Sequence, residues 1–143
     1  MTFKKILLPI DINDKSSWLK TLPTAASMLK SDPDSELWIV SVIPNFGMNM
    51  VESYFPAGWT KEIKVKTLKT LEEIIANNLP IDSKVNLIVE KGVVYQAILE
   101  NAEKLEIDLI IMAAGNDKNK EYLLGPNPAR VVRHANISVL IQR

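Results

Sequence analysis

The sequence predicts an α/β fold, a doubly wound five-stranded parallel sheet in the order 3-2-1-4-5 with helices on both faces. Three observations carry that prediction. Short apolar runs recur along the chain, and longer segments with helical spacing lie between them. The first, second and fourth runs are almost unbroken Ile, Leu and Val, which suits strands covered on both faces. Alternation of polar and apolar residues is weak, which disfavours a one-sided antiparallel sheet.

The elements follow in order. Strands are expected at Lys5–Ile10, Leu37–Ile43, Val85–Val89, Leu109–Ala113 and Ser138–Ile141. Between the first two, Lys15–Lys30 sets Trp18, Leu19, Leu22, Ala25, Ala26 and Leu29 on one helical face, with Pro23 expected to interrupt or kink it. Thr60–Leu79 repeats the pattern with Ile63, Leu68, Leu71, Ile74 and Ile75, and Pro80 stops it. The Lys61–Lys69 charges on its other face read as a solvated surface. Val93–Lys104 gives a third helix, and Pro126–His134 a short fourth whose prolines are tolerable only in the first turn. Right-handed crossovers between parallel strands make the chain reverse its winding at the first strand, opening a crevice between the carboxyl ends of strands 1 and 4. Binding chemistry is therefore expected from Pro9–Asn13, Val42–Pro44 and Ala113–Asn127.

Composition narrows the function. A chain of 143 residues, 47% apolar and 24% charged, is expected to form one globular domain over residues 1–143. Seventeen basic residues against seventeen acidic ones give no long-range positive field, so neither nucleic acid nor an anionic membrane is an expected partner. Without cysteine there is no disulfide or thiolate chemistry, and a lone histidine argues against a His-rich metal site. The apolar run Ile6–Ile10 is too short for a signal segment, and a cytoplasmic location is expected.

At the end of strand 1, Asp11 reads either as a carboxylate facing a nucleobase or ribose edge or as a cap, whereas Asp14 reads as a helix cap. Gly115 and Gly125 flank a polar loop that enters a helix, a place where free N–H groups and the helix dipole favour an anion. The loop is neither a Walker loop nor a Gly-x-Gly-x-x-Gly dinucleotide fingerprint. Asp108 reads as structural, as does His134 near the end of the last helix. No acidic residue near His134 completes a triad and Ser138 falls within a strand, so no nucleophilic constellation is assembled. Pro44–Trp59, rich in aromatic residues and Met, is the one long irregular stretch; it reads as a cover or packing surface, as a ligand contact, or as the face of a protein partner.

Lys4–Asp11, Asp108–Ala114 and above all Leu123–Ile141 resemble the universal stress protein family, and the shortened loop is similar to that of its small bacterial F/G-type branch. The resemblance covers the chain in order and length. It implies the adenine nucleotide alpha hydrolase-like fold, a homodimer made through the last strand, Ser138–Ile141, and a site for ATP or AMP built on Gly-x-x-Gly, nine residues, then Gly-Ser/Thr. Carried over by position, Asp11 and Val42 would meet adenine, Ala113 with Gly115 or Asn116 would lie around ribose and phosphate, and Gly125 with Asn127 would form the phosphate end, with Pro9 at the neighbouring strand mouth. Core packing is the competing reading for Val42. The sequence departs from the motif at Met112 or Ala113, where the first glycine falls, and at Pro126, which replaces the Ser/Thr and brings neither hydroxyl nor N–H. The expectation is thus a non-enzymatic stress-response protein with a degenerate adenine-nucleotide site. A nucleotide-dependent switch is the alternative, and a slow ATP hydrolase a weaker one.

Overall fold

The structure, a computed structural model, describes residues 3–44, 58–80, 82–115 and 124–143. Five parallel strands form one sheet, β1 (Lys5–Pro9), β2 (Glu36–Pro44), β3 (Val85–Gly92), β4 (Leu109–Ala113) and β5 (Ser138–Gln142). Their order across it is β3-β2-β1-β4-β5, as the sequence predicts. The register places Leu7 opposite Trp38 and Ile110, so β1 sits at the centre with β2 and β4 on its two sides.

Among the described residues the helices are α1 (Thr21–Ser31), α2 (Trp59–Asn78), α3 (Val94–Lys104) and α4 (Pro126–His134), with a 3-10 turn at Lys15–Ser17. Successive strand side chains point to opposite faces. Ile6, Leu8, Ile39 and Ile111 accordingly pack with Leu22 and Ala25 of α1 and Leu71 of α2. Leu7, Val40, Ile110 and Met112 pack on the other face with Ile98 of α3 and Val131 of α4. Both faces of each central strand are thus dry, which is the physical reason the runs read as continuous apolar sequence.

The first helix is shorter than its apolar spacing suggests. Asp14 terminates the preceding loop, its carboxylate accepting from the Ser16 N–H at 3.0 Å and the Ser16 hydroxyl at 2.6 Å, and caps the 3-10 turn. The α-helix begins only at Thr21, which puts Pro23 in the first turn, where no intrahelical N–H is lost. Pro23 therefore marks the start of the helix instead of kinking it. Trp18 packs on the core from outside the helix, and Leu19 is exposed. On α2 the buried row is Thr67 and Leu71, and Leu68 lies on the exposed side, contrary to the sequence expectation. β3 runs three residues past its expected end, because Glu90, Lys91 and Gly92 stay in register with Val42, Ile43 and Pro44.

Other local expectations are met. Asp108 joins the strand starts, its Oδ2 accepting from the Lys4 and Lys5 N–H groups at 2.8 Å each. His134 stacks on Tyr95 of α3, with ring centroids 6.2 Å apart, and the Arg130 guanidinium lies 5.3 Å from the same ring. That cluster ties α4 to α3. Of the aromatic stretch Pro44–Trp59, residues 45–57 lie outside the described residues. Among the described residues no helix is long and apolar enough to cross a membrane.

Candidate functional site

The parallel order with its reversal at β1 leaves a cavity of about 720 Å³ at the carboxyl ends of β1, β2 and β4. Pro9 and Asp11 enter it from β1, Val42 from β2, Ala113 and Gly115 from β4, and Gly125 and Asn127 from the start of α4. Residues far apart in sequence are therefore brought to one crevice. Asn116 falls outside the described residues.

The β1 mouth is a hydrogen-bonded corner. Asp11 Oδ1 accepts from the Asn13 N–H at 2.9 Å, an Asx turn that bends the chain out of the sheet. The Asp11 N–H donates to Ser17 Oγ at 3.0 Å, and the Ser17 hydroxyl donates back to the Asp11 carbonyl at 3.1 Å. Backbone ties on both sides hold the exposed Asp11 carboxylate at the crevice. One of its oxygens makes a local turn, and the residue lines the crevice. Val42 likewise is half-buried, packs on the second core cluster and lines the cavity.

The opposite wall is made where two glycines meet. The Gly125 N–H donates to the Ala114 carbonyl at 2.7 Å. Gly115 adopts φ +118°, and a Cβ there would sit 2.9 Å from the Gly125 nitrogen. Only glycine fits that backbone contact. From Gly125, α4 starts with Pro126-Asn127-Pro128, so of its first three residues only Asn127 carries an N–H. The Gly125 donor is already used within the chain and the Ala129 N–H bonds the Gly125 carbonyl at 3.0 Å. A helix start that ordinarily offers a cluster of free donors to an anion is here reduced to the Asn127 backbone N–H and side-chain amide.

The charge of the lining points the same way. Among the described residues that line the cavity the ionisable ones are Asp11 and Asp14, with no Lys, Arg or His beside them. The remaining wall mixes aliphatic side chains such as Ile12, Val42 and Ile63 with the hydroxyls and amides of Asn13, Ser16, Ser17, Ser41, Thr67 and Asn127. No group of three or more His, Asp or Glu side chains among the described residues is placed to hold a metal ion.

Comparison with known proteins places this geometry. The model of the universal stress protein family matches residues 2–143. The chain belongs to that family. Universal stress protein G of Salmonella typhimurium is 24% identical over 143 residues, spanning 99% of both chains. The solved structure of the hypothetical protein MJ0577 is 25% identical and superposes with a TM-score of 0.78 over 99% of this chain and 96% of that one. A universal stress protein in complex with cAMP, 19% identical, has the same fold with a TM-score of 0.66 over 100% of this chain and 98% of that one. The small bacterial G-type relatives agree with the sequence resemblance.

Sequence reasoning missed the contribution of α2. Ile63 and Thr67 both line the crevice, although the helix belongs to neither strand end. Thr67 is only 4% exposed. A polar residue at the centre of the Ile63, Thr67, Leu71 row, spaced one helical turn apart, is the signal that would have found it.

Proposed function

We propose that this chain is a cytoplasmic, single-domain stress-response protein that acts as a homodimer through β5 and by binding, without catalysis. Its crevice takes an adenine-containing ligand, with Asp11 and Val42 at the base and ribose end and Gly125 and Asn127 at a weakened phosphate end. ATP and AMP are the natural probes. The observation that carries this reading is the convergence of Asp11, Val42, Ala113, Gly115, Gly125 and Asn127 on one cavity at the reversal of winding. Membership of a family in which a structure holds cAMP supports it.

Calorimetric titration with ATP and AMP, with and without Mg²⁺, tests the site. Saturable binding is expected, weakened about tenfold or more in Asp11→Ala, because a hydrogen bond to a charged acceptor is lost. Circular dichroism checks that the variant remains folded. Absence of binding by any adenine compound at millimolar concentration would overturn the site assignment.

A further inference from the structure

We propose that the crevice selects an uncharged nucleoside over its phosphorylated forms, an inference that rests on the reading of the crevice as an adenine-ligand site. Hydroxyl and amide side chains line the cavity at Asn13, Ser16, Ser17, Ser41, Thr67 and Asn127, and its charged side chains among the described residues are acidic. The carboxylates of Asp11 and Asp14 offer acceptors, one oxygen of each taken by Asn13 or Ser16, and a ligand that brings donors can bond the other oxygens. Ribose hydroxyls and an exocyclic amine supply donors, whereas an ionised phosphate supplies none.

The other end of the cavity repeats the preference. A phosphate seated by the start of α4 would lose the N–H groups that Pro126 and Pro128 lack, and the Gly125 N–H is held by the Ala114 carbonyl at 2.7 Å. No basic side chain among the described lining residues compensates. Taking a phosphate out of water into this crevice is costly, and the Asp11 and Asp14 carboxylates add repulsion. Apolar surface suits the neutral part of such a ligand, since the half-buried Ile12, Val42 and Ile63 can cover a flat base. Pro126 and Pro128 are thus specificity-determining residues that act by withholding donors.

Adenosine, AMP and ATP are the probes, titrated by calorimetry at fixed ionic strength with and without Mg²⁺. Adenosine is expected to bind about tenfold or more tightly than AMP, the equivalent of one unmade charge-assisted hydrogen bond. AMP or Mg-ATP binding as tightly as adenosine, or more tightly, would overturn the selectivity while leaving the adenine site standing. Failure of all three, adenosine included, would overturn the site reading and the selectivity with it. The double variant Pro126→Ser, Pro128→Ala restores two N–H groups and adds a hydroxyl, and should lower the adenosine-to-AMP affinity ratio about tenfold. An unchanged ratio in this variant, shown to be folded by circular dichroism, would sink the role given to the prolines. Asp11→Asn offers an independent check, because removing the negative charge should weaken adenosine and narrow the same ratio.

Discussion

Gly115 carries the most constrained backbone of the crevice, and its two constraints are separable. Its φ of +118° is unfavourable for any residue with a Cβ, and that Cβ would press on the Gly125 backbone at 2.9 Å. Gly58 at φ +87° has the first constraint alone, with nothing within 4 Å of its would-be Cβ. Gly58→Ala should therefore cost about 1 kcal/mol, and Gly115→Ala more than about 2 kcal/mol because a backbone contact must also open. Equilibrium urea denaturation of the two variants measures the difference, and equal costs would show that the loop ends part easily. A second residue-scale prediction concerns the Lys4–Asp32 pair, whose charged atoms lie 2.6 Å apart. The hydrogen bond from Lys4 holds the Asp32 carboxyl below the usual carboxylate range, helped by the Asp34 N–H, and the same bond holds the Lys4 ammonium above its ordinary value. With the Asp32 value depressed, any stabilisation from the pair is complete above the unfolded carboxyl value and is lost as pH falls through the folded one. With the Lys4 value raised, it is lost again as pH rises through that higher value. Lys4→Met should move the Asp32 titration midpoint upward by carboxyl NMR, and no movement would show that the pair is not formed in solution.

At the scale of elements, α2 shows how far helical spacing can be read. Ile63, Leu71, Ile74 and Ile75 are legible as an inward face, but Leu68 and Thr67 exchange the roles their polarity suggests, because Thr67 lies in line with Ile63 and Leu71 over the sheet. Leu71→Ala should destabilise the fold by about 2–5 kcal/mol, since it empties a fully buried site. Leu68→Ala, at a residue 37% exposed, should cost less than about 1 kcal/mol. Thermal or chemical denaturation distinguishes them, and a larger loss at Leu68 would reverse the assigned faces. The bounds of β4 and α4 were readable to the residue, because Leu109–Ala113 is an apolar run that opens after Asp108 and closes at the Ala114-Gly115 turn, and Pro126 fixes the helix start. Lys15–Lys30 misled because apolar spacing does not register backbone state: Trp18 packs on the core from outside the helix, and its neighbour Leu19 is exposed. The crevice was legible for a topological reason. Once the strand order is known, strand ends determine which segments converge, whereas Ile63 and Thr67 arrive from a helix passing alongside and carry no such signature.

The sheet of the whole molecule ends at two edges, β3 and β5, and β5 is the edge assigned to the proposed dimer. It pairs with β4 on one side, Leu109 facing Ser138 and Ala113 facing Gln142, and ends the strand order on the other. The Ala114 N–H donates to the Gln142 carbonyl at 2.9 Å, which turns the Gln142 backbone toward β4. Backbone groups alternate sides along a strand, so Leu140 also points its N–H and C=O toward β4, while Val139 and Ile141 present theirs outward. An unpaired apolar edge is a template for another strand, and a second copy of the same edge is the occupant proposed for it. Val139→Pro removes an outward N–H and leaves the β4 ladder in place, so it should convert the dimer to a folded monomer. Leu140→Pro removes an inward N–H and should instead destabilise the β4–β5 pairing, lowering the thermal midpoint. Sedimentation equilibrium at micromolar concentration, run beside circular dichroism melts, separates the two effects. A Val139→Pro variant that remains dimeric would place the contact between copies away from the β5 backbone, and a parent protein that is already monomeric would remove the dimer from the proposed function.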